Sequence, residues 1–140
     1  MATYSSPEAY GKALQAAMDK GFSDFIQETQ SLLTQRAPID TGRLASSFYI
    51  SKSRSSKNVR PADWAPPGAN KQVLPKYPRK VTFDGTWFIT NNVPYAVRVA
   101  KNPTYGKNGR GFGSEWYNAT VNQKKQTWEA IVAKNLRKLK

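Results

Sequence analysis

Ala37-Pro38-Ile39-Asp40-Thr41-Gly42-Arg43-Leu44 closes a long helical pattern and opens everything in the chain that is not helix. Pro38 has no backbone donor and pushes Ala37 towards extended conformations, so the preceding helix is expected to stop there. Asp40 and Thr41 can bond their side chains to nearby backbone N–H groups, and Gly42 permits positive φ. The stretch reads as a self-bonded corner that re-aims the chain. Ile39 and Leu44 are expected to be buried there, with Arg43 directed at a carboxylate or a neighbouring chain. A helix stop followed by an ordinary turn also satisfies the local physics.

Working back from the corner, Ser6-Pro7-Glu8 supplies a capping hydroxyl, a proline at the first helical position and an acid near the positive end of the dipole. Tyr10, Leu14, Met18, Gly21, Phe25, Thr29 and Leu32 then recur at helical spacing. Phe22, Ile26 and Leu33 widen that stripe to nearly half the circumference, whereas a helix on its own core needs about 100°. These three residues are candidates for a second apolar contact with another subunit; a helix lying deep in its own domain is the alternative. Gly21 costs about 1 kcal/mol in a helix interior relative to alanine, which points to close approach by another element.

Working forward, Ser47-Phe48-Tyr49-Ile50-Ser51 alternates as a half-buried strand does, with Phe48 and Ile50 on one face. Residues 52–80 then carry Pro61, Pro66, Pro67, Pro75 and Pro78, and eight Lys and Arg residues against the lone acid Asp63. Neither periodicity survives there, and a structureless stretch of such length is uncommon inside a compact domain. Trp64, Leu74 and Tyr77 need something to pack on. The stretch 53–79 therefore reads as an arm that docks on a neighbour or partner and is poorly ordered in an isolated subunit. Arg54, Lys57, Arg60 and Lys71 are its candidate contacts to DNA or to an acidic partner.

Val81-Thr82-Phe83, Asp84-Gly85 and Thr86-Trp87-Phe88-Ile89-Thr90 give a hairpin signal with a type I′ turn; a glycine bulge within one longer strand is the runner-up. Asn91-Asn92-Val93-Pro94 breaks the strand, and Tyr95 to Val99 follows as a short helix or strand. Residues 101–113 interleave four glycines with Lys107 and Arg110 but lack the spacing and closing Lys-Ser/Thr pair of a phosphate loop. They read as a flexible basic loop, with Lys107 and Arg110 as further candidate contacts to DNA or acidic groups. Ser114-Glu115 opens a last helix whose apolar face is expected along Tyr117, Val121, Trp128, Ile131, Val132, Leu136 and Leu139. The whole reads as one α+β domain spanning 1–140. Its long N-terminal and C-terminal helices are expected to pack on one face of a small, mainly antiparallel sheet near 46–52 and 80–90, with 94–100 as a candidate third strand.

Composition narrows the function. A formal charge of +13 on 140 residues favours polyanions or acidic neighbours, although a solvated basic surface would carry the same charge. With no histidine and no cysteine, the usual neutral-pH base, the commonest metal ligand and any thiolate site are missing. The nine carboxylates show no close local pairing. No catalytic, metal or cofactor-binding residue is assigned, and an enzyme is not expected. With no apolar run long enough for a bilayer and no signal-peptide pattern, the chain is expected to be soluble and made in a cytoplasm, without membrane partners.

Two segments together resemble a known family. The corner 37–44, placed directly after an N-terminal helix, resembles that of the tail-completion proteins of tailed bacteriophages, also described as neck, head–tail joining or minor tail proteins, of the lambda Z type. Asn91-Asn92-Val93-Pro94-Tyr95-Ala96 resembles that family's strand end followed by Tyr-Ala, with Asn92, Pro94, Tyr95 and Ala96 as the matching positions. Length, element order and the closing helix agree as well. The chain departs where the family usually places a glutamate and then an aromatic-glycine pair, since Ala100 stands there followed by Lys101-Asn102. A role for that glutamate is therefore not carried over.

The resemblance implies a structural virion protein, assembled in the host cytoplasm into a ring of six or twelve copies. That ring would sit where the portal, or connector, meets the tail proteins and would surround the DNA channel. A non-enzymatic basic nucleic-acid-binding protein, with Trp64 and Tyr77 as stacking groups, is the alternative from another class. A small nuclease is a weaker third, given the missing histidine.

Overall fold

Ser6 is extended, and its Oγ accepts the Ala9 N–H at 3.1 Å, with Pro7 and Glu8 in the first turn. The first helix, α1 (Pro7–Arg36), thus begins at its hydroxyl-proline-acid signal. The computed structural model describes residues 4–37, 42–77, 80–101 and 116–139. In it α1 ends where expected: Ala37 is extended (ψ 142°) and its N–H donates to the Leu33 carbonyl at 3.0 Å. The remaining elements are β1 (Phe48–Lys52), β2 (Trp87–Asn91), α2 (Ala96–Lys101) and α3 (Trp116–Leu136), which runs into a 3-10 turn (Arg137–Leu139). The architecture is α+β, two long helices packed together with a two-stranded antiparallel sheet.

Phe48 lies opposite Asn91, Ile50 opposite Ile89 and Lys52 opposite Trp87, and Phe48 and Ile50 are buried as their alternation predicts. The expected hairpin is corrected: β2 pairs with β1, and residues 81–83 form no strand. Side-chain packing overrides the local signal. Val81 joins Ile26 and Ile50 in the core, and the Phe83 N–H donates to Asp19 Oδ1 at 2.7 Å. The Phe83 ring then stacks on Trp128 and meets the edge of Phe22. Gly85 has positive φ (+66°) and Asp84 does not, so the turn is not type I′. The stretch 94–100, left open between helix and strand, contains the start of α2.

The wide stripe on α1 is also explained within the chain. Ile26 and Leu33 are buried in the chain's own core, and Phe22 packs against Phe25, Trp87 and Trp128. The expectation that these three residues face another subunit is corrected, because one edge of the stripe meets the sheet layer and the other meets α3. Tyr10 and Leu14, on the same predicted stripe, are exposed.

The face of α3 is rotated from the expected one. Trp116, Thr120, Lys124 and Asn135 are buried, while Tyr117 is exposed. Two of them bond back along the helix: Thr120 Oγ1 donates to the Trp116 carbonyl at 2.7 Å, and Asn135 Nδ2 to the Ile131 carbonyl at 3.0 Å. Lys124 Nζ donates to Glu28 of α1 at 3.0 Å and lies 5.5 Å from the Phe25 ring centroid. Tyr4 closes the other end, its hydroxyl donating to the Leu139 carbonyl at 3.1 Å.

Gly21 sits in the α1–α3 contact as expected, yet a Cβ there would lie 3.5 Å from Val132 Cα and 3.6 Å from Asn135 Nδ2, ordinary contact distances. Gly21→Ala is therefore expected to stabilise the fold by about 0.5–1 kcal/mol, read as a higher denaturant midpoint. A lower midpoint would mean the helices cannot accept a methyl group.

Lys52 and Thr82 both hydrogen-bond Asp84, and the Lys52–Asp84 pair at 2.7 Å holds that carboxyl below the ordinary aspartate value. A depressed value means the bridge is intact above the ordinary carboxylate range and is lost as pH falls through the lowered value. A carboxyl NMR titration of Asp84 should accordingly give a midpoint below about 3.9. In Lys52→Met that midpoint should return towards the ordinary value.

Candidate interaction site at the corner

Gly42 begins the described part of the corner with φ +89°, and its carbonyl accepts the Ser46 N–H at 2.9 Å. Pro38, Asp40 and Thr41 lie outside the described residues, as does Ile39. A Cβ on Gly42 would come within 2.3 Å of the Lys71 carbonyl oxygen, so only glycine fits this backbone crossing. Leu44 is buried as expected. Arg43 donates from Nε to the Arg60 carbonyl at 2.7 Å, a backbone acceptor on its own chain.

Ser46, fully buried, is the hub of this crossing. Its Oγ donates to the Lys71 carbonyl at 3.1 Å and accepts the Val73 N–H at 2.9 Å, while its own carbonyl accepts Arg60 Nε at 3.0 Å. Ser47 Oγ accepts the Arg60 N–H at 3.2 Å. Further along, Gln72 Nε2 donates to the Thr34 and Gln35 carbonyls at the end of α1, at 3.0 and 2.9 Å. These are among the acceptors a helix C-terminus leaves without internal partners. Gln30 Nε2, buried on α1, donates to the Phe48 and Pro75 carbonyls at 2.8 and 3.1 Å.

These bonds fasten residues 56–60 and 71–75 of the expected arm to the chain itself. An irregular backbone needs partners for its polar groups, and side chains of Ser46, Ser47, Gln30 and Asn92 supply them here. Tyr77 is not presented to a partner: it packs on Trp87 at 5.3 Å between centroids. Trp64 is half-buried beneath the Arg60 guanidinium, 5.1 Å from its ring centroid, and Leu74 remains exposed. Arg54, Lys57 and Lys71 are exposed and Arg60 half-buried; Lys107 and Arg110 lie outside the described residues.

The second motif meets the first. Asn91 Nδ2 donates to the Leu44 carbonyl at 2.8 Å while its Oδ1 accepts the Val93 N–H at 3.1 Å. Asn92 Nδ2 donates to the carbonyls of Ser56 and Asn58, pinning the start of the irregular segment. Pro94 is exposed in the turn that leads to α2, and the Ala96 N–H donates to the Val93 carbonyl at 2.9 Å. Tyr95, Ala96 and Ala100 pack on the core cluster that holds Leu44, Phe48 and Val93.

Sequence reasoning did not single out Ser46, Gln30 or Gln72. Gln30 had a signal, a polar residue between Ile26 and Leu33 on an apolar edge, which burial obliges to find partners. Among the described residues no group of three or more His, Cys, Asp and Glu side chains is placed to hold a metal ion, and no helix is long and apolar enough to cross a membrane. Compared with protein-family models, curated proteins and solved structures, the chain matches none.

Gly42→Ala should cost about 1–3 kcal/mol through backbone strain alone, and the clash with Lys71 should loosen the 71–77 segment. Limited proteolysis at Lys71 and Lys76 reads that loosening directly. Unchanged stability and unchanged cleavage would mean the crossing does not hold the segment.

Proposed function

We propose that this chain is a structural virion protein of a tailed bacteriophage, of the tail-completion or neck type. In this reading it forms a closed ring of copies around the DNA channel where the portal meets the tail. The observation that carries the reading is the meeting of its two resemblance motifs. The corner and Asn91–Ala96 are distant in sequence, yet the Asn91–Leu44 bond and one shared core join them. They form a single device that fixes how the sheet leaves α1. The order helix, corner, strand, irregular segment, strand and helix supports the same reading.

A ring needs a heterologous contact, one surface of each subunit against a different surface of the next. Leu74, exposed on a segment whose flanks are fastened to α1 and the corner, is the candidate knob, with Trp64 earlier on the same irregular segment. Six or twelve copies follow from the resemblance alone. The basic surplus then meets acidic surfaces of portal and tail proteins, since tight phosphate binding would oppose DNA sliding through a channel. A nucleic-acid-binding protein is the second reading, favoured by the Arg60–Trp64 stack beside exposed Arg54 and Lys57.

Sedimentation velocity and two-dimensional class averages of the purified chain without DNA should reveal closed rings. Leu74→Asp should stay folded by circular dichroism and lose them. Phage lacking the protein should make filled heads not joined to functional tails, and normal infectious particles without it would refute the role. Salt-dependent DNA affinity in a chain that forms no ring would instead favour the second reading.

A further inference from the structure

Arg60 is placed unlike the cations around it on the irregular segment. It is half-buried, whereas Arg54, Lys57, Lys71 and Lys76 are exposed. Its backbone is held on both sides, the N–H by Ser47 Oγ at 3.2 Å and the carbonyl by Arg43 Nε at 2.7 Å. The side chain is held as well. Its Nε donates to the Ser46 carbonyl at 3.0 Å, and its guanidinium carbon lies 5.1 Å from the Trp64 ring centroid. Trp64 is set in turn by its own N–H, which donates to the Pro61 carbonyl at 2.9 Å. The guanidinium plane is therefore oriented before any ligand arrives.

These contacts leave one edge of the group over. Among the described residues neither Nη amino group of Arg60 takes part in a hydrogen bond, and the ion pairs are Lys20–Asp24, Lys52–Asp84 and Lys124–Glu28. Asp63, the lone acid of the segment, is exposed and forms no ion pair with it. A charge drawn part-way out of water without a counterion is costly, so an anion brought to that edge relieves the cost.

The open edge also indicates which anion. Guanidinium and indole cover each other's faces, so this side of Trp64 is not free to stack a base. Following a phosphate backbone takes a row of cations, but the neighbouring Arg43 spends its Nε on the Arg60 carbonyl. Two amino groups fixed in one plane match the two oxygens of a single carboxylate. Arg and Trp are also the residue types on which protein interfaces most often turn.

We infer that the Nη edge of Arg60 is a receptor for one carboxylate, an Asp or Glu side chain of a different protein, with Trp64 holding the guanidinium in place. A second copy is a poorer source, because two chains of formal charge +13 repel. The inference goes beyond the ring reading and does not depend on it.

Titration of a fluorescent poly-glutamate peptide with the full chain at physiological salt tests this, with a thymidine oligonucleotide of similar charge in parallel. Arg60→Lys keeps the charge but lacks the planar fork, and should bind the peptide about tenfold more weakly. Its affinity for the oligonucleotide should change little. Arg54→Lys, the same exchange at an exposed position, should bind both probes as wild type does. Should Arg60→Lys fail to fold by circular dichroism, nitrogen-15 NMR of the wild-type arginine side chains gives the answer instead. The Arg60 Nε–H signal should shift as the peptide is added, and that of Arg54 should not. Equal peptide binding by wild type and Arg60→Lys, no binding by either, or Arg54 and Arg60 signals that move together would overturn the assignment. A larger loss for the oligonucleotide than for the peptide would overturn it in favour of phosphate. Loss of self-association in Arg60→Lys would do so too, because the carboxylate would then come from a second copy.

Discussion

The crossing of two backbones at Gly42 and Lys71 constrains most of what surrounds it. A glycine with φ +89° lets the Lys71 carbonyl approach to where a side chain would otherwise stand. That approach brings the carbonyl within reach of Ser46 Oγ and places the Val73 N–H on the same hydroxyl. Once residue 71 is fixed, Gln72 reaches the open carbonyls of α1, and Pro75 comes under Gln30. Moving the crossing would leave each of these buried or half-buried polar groups without a partner. Such losses are typically about 1–3 kcal/mol apiece, large against a stability of about 5–15 kcal/mol for a whole domain.

The dependence on side chains follows from how little sheet the chain has. Two strands of five residues meet few backbone groups, and the stretch between them contains five prolines that cannot donate to a ladder. Residues 53–77 therefore bond through serine hydroxyls, glutamine and asparagine amides and the guanidinia of Arg43 and Arg60. Short hydroxyls at Ser46 and Ser47 suit a crowded crossing, while the longer Gln30, on α1, and Gln72, on the segment, span between the two. Burial of these groups is tolerable because their hydrogen-bond partners satisfy them.

The parts of this fold legible in the sequence are those decided within a few residues. Ser6 and Pro7 set where α1 starts, α1 stops after Arg36 as the sequence around 37–38 predicts, and the alternation at Phe48 and Ile50 sets the face of β1. The candidate site was legible in part, since the corner and Asn91–Ala96 were recognisable as motifs but their contact was not. No local signal says that Asn91 bonds Leu44, or that Asp84-Gly85 delivers β2 to β1 instead of back to residues 81–83. That choice was made by Val81 entering the core and by Asp19 and Trp128 holding Phe83. The α3 face was misread for a related reason. Thr120 and Asn135 look polar in sequence, but each donates to the carbonyl four residues earlier and so can be buried against α1. Tyr117 looks like core and is instead exposed.

Fastening an irregular segment at both ends has a consequence for assembly. A contact residue on a loose loop loses conformational entropy when it binds, about 1–2 kcal/mol for each backbone residue that becomes ordered. Leu74 follows Val73, whose N–H is held by Ser46, and precedes Pro75, whose carbonyl is held by Gln30. Its backbone is ordered before any partner arrives, so an interface built there retains more of its apolar gain. With 22 Lys and Arg against 9 Asp and Glu, most cations have no carboxylate to meet inside the chain. For an acidic neighbour, as the proposed role would require, charge would speed the encounter and preorganisation would slow release.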